Sequence, residues 1–392
     1  MTGKKGYFIS IGGGENQLPL IRAVKDSGYR LIIADRNPKA PGFKEADIKI
    51  MESVTEYRRI YNYILKTLLD APIVGIGCRS FGRASVSAAY LADKLRLNGN
   101  TVNSVKFFQN KFQYKKYLQT KGIPVPEQYS LQDLKKANIS FPAVIKPSQG
   151  EAKKGIRLCR TKKELDAAVS QNSGDMHAET FIEGKEYTVL GFIWKGEFIL
   201  VSVTDKITDS KPPFIELVHK FPVSDTRHIG EFVFLCQRIA QLAGLQNGPF
   251  TAEFKVNSRS EVFLIEAVPE IGGEFLADFL IPSVLKYNYF ENYVSLMIGR
   301  KPKKPVQNYR LKESGYIRFY GPAKERAFYL GSSVTPNEKI FMEKELKKTG
   351  DLLYPSSGNS CRFYALGFTD SDYKLQNISV ERDSYLEPKF DS

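Results

Sequence analysis

The chain is poor in the residues that mark several common kinds of site. It has 4 cysteines and 3 histidines among 392 residues. Cys78, Cys159, Cys236 and Cys361 stand far apart, a spacing that fits neither a zinc site nor a disulfide framework and points to a reduced, cytoplasmic compartment. His177, His219 and His228 are too few for a histidine-rich metal centre. No apolar run reaches the roughly 18 residues that a membrane helix needs, and Met1–Lys5 followed by Tyr7–Ile11 reads as a first strand rather than a signal peptide. There is no long internal repeat and no low-complexity tract. No stripe of basic and aromatic residues matches an RNA- or DNA-binding motif. A dinucleotide fingerprint is missing too: Gly12-Gly-Gly14 is followed by Glu15, Asn16 and Gln17, which breaks G-x-G-x-x-G.

What is present is an ordinary globular composition, 42% hydrophobic and 26% charged, on a chain long enough for a sizeable core. The formal charge of +14 favours anionic partners, a nucleotide or a nucleic acid. The lysines are spread along the chain with small clusters such as Lys301–Lys304, so most of this charge reads as a solvated basic surface. The first hundred residues alternate strand and helix: strands at 6–11, 29–34 and 73–76, helices at about 17–27 and 84–95. That order predicts a parallel sheet with a ligand crevice at its strand C-termini. The glycine run then serves as a tight turn that lets a ligand approach the backbone. From about residue 104 the pattern changes to a basic helix, Lys111–Lys121, stopped by Gly122 and the prolines 124 and 126. Strands follow at 141–146, 156–159, 187–194 and 198–203, helices at 162–171 and 231–243. A linker at 301–304 precedes a β-rich end, with strands near 314–319 and 361–368.

The most informative pair is Glu253 and Glu266. Each lies in a short apolar strand, Thr251–Val256 and Val262–Ala267, with the polar turn Asn257–Glu261 between them. A hairpin would set the two carboxylates side by side on one face. They would repel unless a cation sat between them, and Mg²⁺ takes such oxygens together with phosphate. The alternative is two solvated edge-strand glutamates.

Four local patterns line up in order: Lys111 before Gly122–Pro126; Lys146 before the small polar loop Ser148–Gly155; Glu179 to Glu186; and the Glu253/Glu266 pair with Gly272-Gly273 behind it. Together they resemble the ATP-grasp superfamily of carboxylate–amine and carboxylate–thiol ligases, with the ATP-binding fold of carbamoyl-phosphate synthase and biotin carboxylase. Thr204–Pro222 also looks like ligases that join amino acids. The resemblance implies an α/β fold with a Rossmann-like N-terminal domain (1–103), an ATP-grasp region (104–300, small lobe about 124–186) and a C-terminal β-rich portion (301–392). It implies that Lys111 and Lys146 reach phosphate oxygens, that amides of the loop holding Gly150 and Gly155 cover the phosphates, and that Glu179 marks the hinge. Backbone near Phe181 and Ile182 would read adenine, Glu186 would bind ribose, and Glu253 and Glu266 would hold Mg²⁺ or Mn²⁺. The expected reaction is ATP-dependent joining of a carboxylate to an amine through an acyl phosphate. The expected partners are small carboxylate and amine substrates, without membrane or nucleic acid, and a homodimer is an admissible assembly.

Two departures stand against this. The family commonly has Asn two residues after the second metal-binding glutamate and Arg four residues after it; here these positions are Val268 and Glu270. Valine cannot coordinate, and a carboxylate repels an acyl phosphate. Either a replacement cation acts, with Arg318 and Arg362 as candidates, or Glu270 binds the amine, or catalysis is lost. His219 is a further candidate to face the substrate. A nucleotide-binding pseudoenzyme and a basic RNA-binding or scaffold protein remain as alternatives.

Overall fold

A computed structural model of the chain describes residues 5–79, 82–135, 139–150, 153, 155–171, 175–306, 314–322, 326–369 and 380–391. Among these residues the strands form four sheets. The first is parallel, order β3-β2-β1-β4, built from β1 (Tyr7–Ile11), β2 (Arg30–Ala34), β3 (Ile48–Ile50) and β4 (Ile73–Gly77). Every residue of β1 is buried, as a strand covered on both faces requires. Helices α1 (Leu18–Asp26), α2 (Tyr57–Lys66) and α3 (Arg83–Lys94) alternate with these strands. The glycine run is the expected turn. Gly12 has φ +106°, which favours glycine, and Asp35 at the end of β2 accepts a hydrogen bond from Gly13 N at 2.9 Å. A cleft of roughly 480 Å³ opens there, at the strand C-termini, between Gly12, Asp35, Arg36 and Thr55.

Helix α4 (Val102–Lys106) leads to α5 (Lys111–Thr120), whose N-terminus is capped by the Asn110 side chain accepting from Gln113 N at 3.0 Å. The helix stops before Gly122, φ +79°. A small antiparallel sheet follows, order β5-β8-β6-β7, made of β5 (Gln128–Ser130), β6 (Ala143–Pro147), β7 (Arg157–Cys159) and β8 (Met176–Thr180), with α6 (Lys162–Ser170) against it.

The large antiparallel sheet begins with β9 (Lys185–Trp194), β10 (Glu197–Thr208) and β11 (Glu216–Phe221). The Lys195-Gly196 turn joins β9 to β10, with both residues at positive φ as a two-residue hairpin demands. Helix α7 (Ile229–Leu242), strands β12 (Asn247–Val256) and β13 (Val262–Val268), and helices α8 (Ile281–Leu285) and α9 (Tyr289–Met297) follow. The last strands are β14 (Gly315–Tyr320), β15 (Ala327–Val334), β16 (Ile340–Glu345), β17 (Leu352–Leu353), β18 (Tyr364–Thr369) and β19 (Leu386–Asp391). The large sheet has the order β13-β12-β9-β10-β11-β14-β18-β16, so three of the late strands continue it past the 301–304 stretch; β17-β15-β19 form the fourth sheet. Among the described residues no helix is long and apolar enough to cross a membrane.

The N-terminal sheet is docked by buried polar contacts as well as by a shared apolar core that joins Phe8 and Leu20 to Phe192 and Tyr289. Cys78 N donates to Tyr293 Oη at 3.1 Å, and Arg79 pairs with Asp278, both side chains at most 5% exposed. Glu270 Oε1 accepts from Gly82 N at 2.9 Å and from Ser85 Oγ, at the start of α3. Removing one member of a buried ion pair strands the other. Arg79→Ala is therefore expected to lower stability by about 3–5 kcal/mol. The double change Arg79→Met with Asp278→Leu should recover most of it. Denaturant unfolding of the three proteins measures this; equal losses in the single and double variants would show that the pair is not what docks the sheet.

Candidate active site

One face of the large sheet carries the polar side chains, and strand register puts them there. Glu253 lies directly opposite Glu266 on β13 and Thr188 on β9; Lys255 lies opposite Glu186. Glu186 lies opposite Lys206 on β10, and Lys206 opposite His219 on β11. Directly paired residues share a face. The alternate residues Tyr187, Val189, Ala252 and Phe254 point the other way, into an apolar core with α7. A bulge between Glu253 and Phe254 keeps the pairing of the two carboxylates despite the odd residue Ile265.

The small sheet presents its own charges to this face. Lys146 lies opposite His177 on β8, and Lys146 Nζ sits 2.7 Å from Glu179 Oε2. His177 Nε2 is 3.0 Å from Glu179 Oε1. Helix α5 joins the two sheets. Lys115 Nζ pairs with Glu179 and also donates to Ile265 O on β13 at 3.1 Å. One turn earlier, Lys111 Nζ is 2.8 Å from Glu266 Oε1, while its backbone N donates to Ser148 O at 2.8 Å. The 148–155 loop reaches the large sheet through Lys153, whose Nζ donates to Phe214 O at 2.8 Å and lies 3.6 Å from Glu216 Oε1. Gly150 (φ +142°) and Gly155 (φ +72°) both hold backbone that other residues rarely adopt. Glu151 lies outside the described residues.

At the far end, Lys206 Nζ stands 2.6 Å from both Glu216 Oε1 and Glu253 Oε1. Arg362 Nη1 is 3.4 Å from Glu216 Oε2, with its guanidinium 4.0 Å from the centre of the Phe319 ring. Burial alone would raise the Glu216 carboxyl, but Lys206, Lys153 and Arg362 hold it well below the usual range. Burial likewise opposes ionisation of Glu179, and Lys115 and Lys146 overcome it. Burial depresses Lys115, which Glu179 only partly counters, leaving it at about 7. Glu253 and Glu266 shift in opposite directions. Burial, with Glu216 and Glu266 nearby, raises Glu253 despite Lys206. Lys111 lowers Glu266 against its burial. Two half-buried carboxylates opposite each other, one resisting ionisation, could hold a divalent cation.

The structure brings Lys111, Lys146, Glu179, Glu186, Glu253 and Glu266 to one cleft. Glu186 Oε1 is 3.1 Å from Lys255 Nζ. Phe181 contributes its ring, stacked on Phe214 with centroids 5.5 Å apart and under Lys255, while its N–H is already given to Pro142 O. The Ile182 carbonyl accepts from Lys255 Nζ at 3.0 Å. Two expectations need correction. Arg318 lies on the opposite face of the sheet: it pairs with Val218, packs its guanidinium 4.9 Å from the Tyr320 ring and lies 3.9 Å from Asp383. Strand alternation gives the site face to Ile317 and Phe319 instead, so Arg362 is the arginine at the site. Glu270, expected to meet the amine, is turned toward the start of α3. His219 is fully buried beside Thr204, 3.3 Å away, and burial pulls it down to about 3, so it is neutral. Lys115, Lys153 and Glu274 were not anticipated, and Lys206 and Glu216 lay in a noted stretch without a role. The available signals were a lysine one turn after Lys111 and a lone lysine within the long apolar strand at 197–208.

A cleft lined with lysines between a small antiparallel sheet and a large one, with paired carboxylates on the large one, is what the resemblance to ATP-grasp ligases leads one to expect. Residues 139–278 match the family model of the ATP-grasp domain. An uncharacterized protein of Sinorhizobium fredii, y4rH, is 28% identical over 65% of this chain, a match that spans 58% of that protein's length. A D-alanine–D-alanine ligase of Fusobacterium nucleatum is 23% identical over 66% of this chain and 82% of its own. The crystal structure of an L-amino acid ligase from Bacillus licheniformis shares the fold over 94% of both chains, with a TM-score of 0.76 at 18% identity.

The charge network carries a pH dependence. Glu179 and Glu216 titrate below the usual 4.5 in the folded protein. The native state then binds fewer protons than the unfolded chain as pH falls below that value, so stability drops there. Above it their contribution is fully present. Glu216→Gln should flatten the acid limb and lower stability at neutral pH by about 3–5 kcal/mol, because Lys206, Lys153 and Arg362 lose their counter-charge. Urea midpoints measured across the acid range test this, and parallel curves for the two proteins would refute it.

Proposed function

We propose that this protein is an ATP- and Mg²⁺-dependent ligase that joins a carboxylate to an amine through an acyl phosphate, releasing ADP and phosphate. The observation that carries the reading is the pairing of Glu253 with Glu266 across β12 and β13, facing Lys111 and Lys146. These two glutamates would hold Mg²⁺ or Mn²⁺, which would offset the charge of the phosphates. Lys146 and Lys111 offer point charges to the same phosphates, and both already sit against carboxylates they can exchange for them. Glu186 offers acceptors for ribose hydroxyls. The Phe181–Phe214 stack and the Ile182 backbone border the place for the base. Lys206, Lys153 and Arg362 supply positive charge where a carboxylate becomes an acyl phosphate, the role left open at Glu270. Small-molecule substrates accord with the amino-acid ligases among its relatives and neighbours.

A second reading rests on Val268 and on the hydrogen bonds that hold Glu270 to α3: nucleotide binding without turnover. ADP release across a panel of carboxylates and amines with Mg²⁺ separates the two. Under either reading Mg²⁺–ATP should raise Tm, since it binds the native cleft and not the unfolded chain. No shift at millimolar nucleotide would remove both.

Glu266→Gln is expected to lower kcat/KM by roughly 100-fold or more at limiting Mg²⁺. The apo fold should lose little, because repulsion with Glu253 is relieved while Lys111 loses its partner. Wild-type turnover in that variant would show that Glu266 is not a ligand.

A further inference from the structure

Six glutamates border the cleft, and five of them meet a cationic side chain within 4.0 Å: Glu179, Glu186, Glu216, Glu253 and Glu266. Glu274 is the sixth. Among the described residues it makes no hydrogen bond and no ion pair. It stands in the loop that leaves β13, just after Gly272-Gly273, half-buried and within the field of Lys206, Glu216, Glu253 and Arg362. Its carboxylate folds back over Gly272: a Cβ on that glycine would come 2.7 Å from Glu274 Oε2 and 3.6 Å from the Thr251 methyl. The next residue, Phe275, has φ +60° and stacks on Phe319, the ring that carries Arg362. The loop therefore holds Glu274 within the field of the cations proposed to face the acyl phosphate, without an ion pair to them.

We propose that Glu274 receives the ammonium group of the amine substrate and takes one of its protons, so that the freed nitrogen lone pair attacks the acyl carbon and phosphate departs as HPO4²⁻ with the second proton. The inference rests on the ligase reading above and names the residue that Glu270 leaves without a role. A lone carboxylate at a partly desolvated position attracts an ammonium more strongly than one in water. The neighbouring carboxylates add to that attraction, and their own cations are already engaged. Burial together with Glu216 and Glu253 raises Glu274 to about 7 in the free protein, against Lys206 and Arg362. An arriving cation relieves that repulsion. The site then prefers amines that arrive charged, amino acids among them, over neutral nucleophiles.

The experiment compares two nucleophiles on the wild type, Glu274→Gln and Gly272→Ala, with the standard L-amino acids offered in pairs. Amide formation from an amino acid needs its ammonium to be received and deprotonated, whereas hydroxylamine, uncharged at neutral pH, traps the acyl phosphate as a hydroxamate without that step. Glu274→Gln should raise KM for the amine roughly 10- to 100-fold, and the ratio of amide to hydroxamate should fall with it. Gly272→Ala should move the ratio the same way, because its methyl displaces the end of the Glu274 side chain without changing charge; melting curves confirm that both variants fold. An unchanged ratio in both folded variants overturns the role of Glu274 alone. Amide and hydroxamate falling together also overturn it, placing Glu274 in the first half-reaction. No ADP release by the wild type with any pair removes the ligase reading and this inference with it.

Discussion

The constraint that organises this molecule is the charge balance of a buried cleft. Glutamates on β8, β9, β11, β12 and β13 sit where burial disfavours their ionised form, and they are tolerated because Lys111, Lys115, Lys146, Lys153, Lys206, Lys255 and Arg362 stand among them. An isolated buried charge costs several kcal/mol, and a well-paired one about breaks even. Neither set could occupy the cleft without the other. Under the proposed function, Lys111 and Lys146 would exchange their carboxylates for phosphates, and Glu253 and Glu266 would hold the metal ion.

The same constraint ties the parts of the chain together. Helix α5 gives Lys111 to the large sheet and Lys115 to both sheets, so its position is set by charges on either side. Lys153 makes the corresponding link from the loop after β6. The N-terminal sheet is joined by a different set, Arg79 with Asp278 and Glu270 with Gly82 and Ser85. At Glu270 the departure from the family's usual arginine has a structural meaning. The carboxylate accepts hydrogen bonds from the start of α3, where an acceptor complements the exposed backbone donors of a helix.

That exchange redistributes the chemistry of the site. With Glu270 turned to α3, positive charge comes from Lys206, Lys153 and Arg362, residues drawn from three separate stretches of chain. Arg362 stands on the aromatic ring of Phe319, which fixes its plane, and reaches Glu216 from the side. Around Glu216 the cleft thus holds a group of cations, while position 270, two residues past β13, carries a carboxylate.

How much could be read from the residues in order follows from which interactions are local. Apolar runs, glycine and proline stops and caps are decided within a few residues, so β1, α5 and the β12–β13 hairpin were legible, and with them the pairing of Glu253 and Glu266. So was the set Lys111, Lys146, Glu179 and Glu186, through the spacing of the family. The facing of Arg318 was not, because a one-residue choice of strand phase sends a side chain to the opposite face, and that phase is set by pairing with β11 and β18. Arg318 and Arg362 stood as equal candidates in the sequence, and the choice of Arg362 depends on the late strands joining the large sheet. Glu270 looked like a site residue in sequence; only the docking of α3 gave its carboxylate donors. The sequence thus determined which elements form and which charges they carry. Tertiary structure decided which charges meet, because pairing energies in a buried cleft depend on distances between residues far apart in the chain.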